Sequence, residues 1–227
     1  MNTLVSVCRS KAIGMHSGVT YGKGLSMLDQ VLGTAKLVED NTAFSGVQKE
    51  EVVAAALLHK SFEAKRINGG RAMTTRDIVI LAGTTVASIV QELSTEPEDK
   101  SKSKAEQWAE KAAWAKTLSP AAQEILQAEK IMNFETTRDR LRDMAVARQM
   151  GAENGEDKDG PKSKPAWHKE YIETRSLMVE ALHDNNVALY AIARHVRAEA
   201  LKNVETLEKQ NKQMLLKQAA LARQATR

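Results

Sequence analysis

The run Val52-Val53-Ala54-Ala55-Ala56-Leu57-Leu58 constrains the fold of this chain more than any other segment. A helix beginning near Gly46 and passing through it is amphipathic at first and apolar on nearly every side in its later half. Such a half cannot lie on a surface. It has to be enclosed by other elements, and the rest of the chain offers helices for the purpose. Alanine, leucine, lysine, glutamate and glutamine dominate, aromatic residues are only 4%, and no stretch alternates as a partner strand would. The expectation is an all-α bundle. At 227 residues it is one domain, or one domain with an appendage.

Local signals divide the chain further. The glycine-rich segment Thr20-Tyr21-Gly22-Lys23-Gly24 reads as a loop. Leu28, Val31, Leu32, Ala35, Leu37 and Val38 then recur at helical spacing and stop at Glu39-Asp40-Asn41. Thr74 followed by Asp77 is a capping box. The run from Ile78 to Ala82 has the propensity of a strand, but the spacing favours two short helices broken near Gly83. Residues 95–104 read as a surface loop. A helix over 105–118 carries Trp108 and Trp114 as large anchors, and Ser119-Pro120 opens another that runs through Met132 toward Met144. Residues 151–166 read as a flexible linker, and Trp167 opens a helical region continuing to the end. The division expected is a core over 1–150, a linker over 151–166, helices packing on the core over 167–200, and a tail over 201–227.

A single cysteine, Cys8, excludes an internal disulfide and fits a reducing compartment. The first residues carry no apolar run of signal-peptide length, and none elsewhere approaches a membrane span. Cytoplasmic residence and no membrane partner are expected. The net charge of +4 is concentrated at one end: residues 209–227 hold five basic residues, among them Lys209, Lys212, Lys217 and Arg223, and no acidic one. Such a tail can meet nucleic acid, an acidic protein or only solvent. No recognition helix, zinc spacing or aromatic-basic platform supports nucleic acid. The apolar stripe of the terminal helix also allows self-association.

Few polar residues are set against apolar helices: His16, Asp29, His59, Glu63, Glu129 and Asn133. On a helix, His59 and Glu63 share one face. A buried Glu129 needs a metal or a cation, and Lys60 can supply the cation by pairing with Glu129 or Asp29. Alternatively, these residues rim a small polar pocket or face water.

In order and spacing these segments resemble the HD-domain hydrolases of the RelA/SpoT type, specifically the small alarmone hydrolases, over about residues 10–200. The residues that carry the likeness are His16-Ser17-Gly18 leading through Lys23 to Leu28-Asp29-Gln30-Val31, then Leu57-Leu58-His59-Lys60-Ser61-Phe62-Glu63-Ala64. The segment around Asp77, Gly83 and Val86, the run Ala128-Glu129-Lys130-Ile131-Met132-Asn133, and Trp167 through Tyr171 complete it. The resemblance implies an HD-domain bundle. It puts metal ligands at or beside Asp29, and at His59, Lys60 and Glu129, an acidic pair at Glu63 and Ala64, and nucleotide-gripping residues at Lys23, Lys65, Arg66 and Asn133, with Arg76 a further basic candidate. Only His59 keeps the family's identity among the ligands. Lys60 stands where the family has aspartate, and an ammonium repels a divalent ion. No cofactor is therefore expected, manganese being the alternative if an altered site is active. The reading is a catalytically inactive HD-domain relative acting as a binding or regulatory module, with a guanosine nucleotide, a protein partner or a second copy as its partner. A phosphohydrolase with an altered site built from Asp29, His59, Glu63 and Glu129 is the enzyme reading.

Overall fold

The computed structural model describes residues 3–21, 25–63, 72–97, 99–150 and 165–225, excluding the side chains of Tyr21 and 222–225. Among these it is all-α apart from a small ribbon. The elements in chain order are α1 (Thr3–His16), β1 (Thr20–Tyr21), β2 (Leu25–Ser26), α2 (Met27–Asn41), α3 (Gly46–Leu58), α4 (Thr75–Ala82), α5 (Thr84–Leu93), α6 (Lys104–Ala115), α7 (Pro120–Gln149), α8 (Pro165–Ala181) and α9 (Val187–Ala225). β1 and β2 pair antiparallel, Thr20 opposite Ser26. Contacts divide the chain into one unit of Met1–Asn133 with Leu177–Ala193 and another of Phe134–Ser176 with Arg194–Arg227. No described helix is long and apolar enough to cross a membrane.

In the first unit α3 is the enclosed helix. Every residue from Val52 to Leu58 is buried, and α1, α2 and α5 pack around them. Leu57 and Leu58 alone withdraw enough apolar surface to contribute about 2 kcal/mol each. The first helix, for which the sequence reading gives no account, buries Cys8, Ala12 and His16, a stripe at intervals of four. α2 approaches α7 so closely that the Met132 side chain fills the space a Cβ on Gly33 would take.

The capping signals are realised. Asp77 accepts from the Thr74 amide at 2.8 Å while Thr74 Oγ1 accepts from the Asp77 amide at 3.2 Å. Ser103 and Glu106 form the same reciprocal pair at the start of α6. Gly83 separates α4 from α5 at φ 89°, a left-handed conformation that favours glycine.

Trp108 and Trp114, expected as large anchors, are half-buried: Lys111 lies over the Trp108 ring at 5.1 Å, and Trp114 Nε1 donates to Thr95 Oγ1 at 3.3 Å. The indole N–H keeps that edge of α6 polar, and the helix buries only Ala115. The helices expected over 167–200 are α8 and the start of α9. They are separated at 182–186, where Asn186 Oδ1 accepts from the Leu189 amide at 3.0 Å and caps α9. Of the linker expected over 151–166, residues 151–164 lie outside the described residues, and Pro165 already opens α8, its fixed φ suiting a first helical turn.

In the second unit the later part of α7 packs against α9. Phe134, Leu141, Ile172, Val196, Ala200, Val204 and Leu207 form the core. Asn203 donates to the Arg138 carbonyl at 3.1 Å and Gln210 to the Ala145 carbonyl at 3.3 Å.

Candidate functional site

The end of α3 sets the site. His59 is the C-cap, and its Nδ1 lies 2.6 Å from the Ala56 carbonyl. A carbonyl only accepts, so Nδ1 carries the proton and Nε2 is left as a bare acceptor. That Nε2 is buried and has no hydrogen-bond partner among the described residues. Burial, reinforced by the Lys60 ammonium, lowers the imidazole pKa to about 4, so His59 is neutral at ordinary pH.

Lys60 turns back over the following turn. Its Nζ lies 3.3 Å from Glu129 Oε1 and 3.3 Å from Glu63 Oε1, and its side chain is 16% exposed. Burial alone would lower the lysine pKa, but the two carboxylates outweigh it and raise it, so the ammonium persists. Glu129 projects from the first half of α7 and is buried. Its other oxygen is 3.4 Å from Lys130 Nζ, which is itself buried. Burial would raise the Glu129 carboxyl, whereas Lys130, Lys60 and His59 together hold it well below the usual carboxylate range. The result is an alternating row, Lys130–Glu129–Lys60–Glu63, with no net charge.

One turn beyond Glu129, Asn133 Oδ1 accepts from Gln30 Nε2 at 3.2 Å. His16 ends α1, buried, with neither ring nitrogen partnered among the described residues, and burial lowers its pKa. It is near enough to His59 to disfavour a second positive charge there. Beside this row a cleft of about 800 Å³ opens, lined by His59, Phe62, Glu63, Thr74, Gln91 and Lys111 among others. Lys111 in that lining is paired with Glu96 at 2.7 Å.

The structure thus gathers His59, Lys60, Glu63 and Glu129, with Asn133 one turn along α7. Of the two acids the sequence offers Lys60, Glu129 takes it. Asp29 does not join: it is exposed in the first turn of α2, where its amide donates to Ser26 Oγ. The buried neighbour is Gln30, which falls on the inward stripe Met27, Val31, Thr34, Ala35 and Val38. That stripe was the signal available in the sequence. Arg76 is exposed on α4. Lys23, Lys65, Arg66 and Ala64 lie outside the described residues. Lys209, Lys212 and Lys217 are exposed on α9, and the Arg223 side chain lies outside the described ones.

A divalent ion needs several anionic or neutral donors converging on one point. The described residues contain no such convergence of three or more His, Cys, Asp or Glu side chains. At the centre of the row stands an ammonium, so these side chains as arranged do not fit a metal.

No known protein family and no curated protein matches this chain. Among solved structures it is similar to a metazoan ortholog of SpoT that hydrolyses ppGpp and plays a role in starvation responses, with a TM-score of 0.61 at 20% identity. The alignment covers 88% of this chain and 98% of that one. At this identity the likeness establishes the fold alone, a helical bundle like that of the matched structure.

Proposed function

We propose that this chain is a non-hydrolytic HD-domain protein that works as a binding or regulatory module. The observation that carries the reading is the position of Lys60 Nζ, 3.3 Å from each of Glu129 and Glu63. Hydrolysis of a phosphate ester in this kind of site depends on an ion to activate water and polarise the ester. Replacing a carboxylate ligand by an ammonium changes the local charge by two units. Glu129 is already neutralised from two sides. Lysine could become a ligand only by losing its proton, and its surroundings favour keeping it.

The cleft beside the row is the binding region of this reading. Its volume is within the range of small-molecule sites, and a guanosine nucleotide, the class to which the structural relative's substrate ppGpp belongs, is the first ligand to try. His59, Glu63 and Lys111 line it; the family resemblance adds Asn133, Lys23, Lys65 and Arg66 as candidate contacts, the last three outside the described residues. Metal analysis of purified protein, combined with a ppGpp hydrolysis assay in added manganese, tests the reading. The expected result is substoichiometric metal and no turnover; one manganese per chain with sustained hydrolysis rejects it. In the competing enzyme reading, the unpartnered His59 Nε2 is a surviving ligand, and His59→Ala abolishes turnover.

A further inference from the structure

The terminal helix carries an inference independent of the HD site. In the second unit, Ala200, Val204 and Leu207 of α9 are buried, and α7 runs alongside them as far as the hydrogen bond from Gln210 to the Ala145 carbonyl. α7 ends at Gln149, whereas α9 continues to Ala225. The stripe continues too. Met214 and Leu221 repeat the place of Leu207 at intervals of seven, yet Met214, Leu215, Leu216 and Leu221 are between 48% and 65% exposed. A helical stretch of this length is marginal in water unless an apolar face is covered.

Charge decides what can cover it. At about 100° per residue, Met214, Leu215 and Leu221 share one arc, and Lys212 and Lys217 fall on its two borders. Lys209 lies on the far side, and no acid follows Glu208. A second copy of this helix would bring lysines to the same borders and face like charge with like charge. Nucleic acid would use the lysines but leave the leucines in water. A bilayer would take the leucines but would also have to desolvate Asn211 and Gln218, which sit within the arc. In a helix–helix seam such amides find partners and fix the register.

We infer that α9 beyond Gln210 is a docking surface for an acidic amphipathic helix of a partner protein. That helix seats an apolar stripe on Met214, Leu215 and Leu221 and sets carboxylates against Lys212 and Lys217. It continues, end to end, the packing that α7 gives the preceding turns.

The test uses the full chain and two labelled synthetic helices of about five turns. Both have leucines repeating every seven residues; one has glutamates bordering the stripe, the other lysines. Fluorescence anisotropy at low salt should show saturable binding of the acidic peptide alone. The double variant Lys212→Glu/Lys217→Glu should reverse the preference, weakening the acidic peptide about tenfold. Met214→Gln/Leu221→Gln should weaken binding with charge unchanged, and helix content by circular dichroism shows that both variants still fold. Binding of neither peptide overturns the proposal, as does binding indifferent to the charge swap. So does a dimer in sedimentation that Met214→Gln/Leu221→Gln abolishes, or tighter attachment to vesicles of equal phosphatidylglycerol and phosphatidylcholine than to the acidic peptide. None of these outcomes bears on the metal and hydrolysis test above.

Discussion

Two carboxylates on α7, five residues apart and both buried, are stabilised in opposite ways. Glu124 is met by neutral donors: Thr42 Oγ1 at 2.5 Å, the Ala43 amide at 3.2 Å and Asn186 Nδ2 at 3.0 Å. Asn186 also donates to the Asn41 carbonyl, so this acid clamps the end of α2 to the start of α9. Glu129 is met by the ammoniums of Lys60 and Lys130. The first arrangement satisfies hydrogen bonds and closes on itself. The second matches charge with charge beside a cleft. Two buried acids on one helix are thus satisfied by partners of different kinds.

The largest effect should come from Glu129→Ala, which leaves two lysines close together in a buried site. The cost in chemical denaturation should be about 4 kcal/mol. Adding Lys60→Met should recover a good part of that loss, because an apolar side chain then replaces a stranded charge. The same Lys60→Met change should recover nothing in a Glu124→Ala background. Equal recovery in both backgrounds would erase the distinction between the two acids.

His59 supplies a pH-dependent contribution to stability at the Glu129 end of this comparison. Its pKa is about 4 in the fold against an ordinary 6.5, so the unfolded chain binds more protons in between. The stability from keeping it neutral is fully present above pH 6.5 and declines as pH falls toward 4, by on the order of 3 kcal/mol. Burial of His16 shifts its pKa the same way and adds to the slope. Denaturation at pH 7.5 and 5 should show the decline, and His59→Gln should reduce it. An unchanged slope in that variant would place the titration elsewhere.

Glu124→Ala should cost about 2 kcal/mol, the loss of a charge-accepting hydrogen-bond group that leaves Asn186 and the Ala43 amide short of a partner. The smallest effect should be at Asp29, where replacement by alanine should alter stability by less than about 0.5 kcal/mol, since its carboxylate is exposed. A much larger loss would return Asp29 to the site and displace Gln30 from it.

What could be read from the sequence was local. The enclosed half of α3, the capping box at Thr74 and the break at Gly83 each depend on residues a few places apart. The Lys60–Glu129 pairing was also within reach, because a buried acid needs a counterion and Lys60 adjoins the apolar run. The Glu124 clamp was not: its partners stand 81, 82 and 62 residues away and offer an amide, a hydroxyl and a carboxamide, groups common everywhere on the chain. Gln30 was overlooked for a different reason. Asp29 has the more suggestive chemistry, but the periodicity of α2 puts its neighbour inside. The break before α9 was hidden because Asn185-Asn186 sits between two good helical stretches, and only the cap to the Leu189 amide makes it a terminus.

Anomalous diffraction from crystals soaked in manganese addresses the role of Lys60 most directly. The account predicts no anomalous peak within coordination distance of His59 Nε2 and Glu129, with Lys60 Nζ held between Glu129 and Glu63. A strong peak bonded to both His59 and Glu129, with the lysine swung out to solvent, would contradict it.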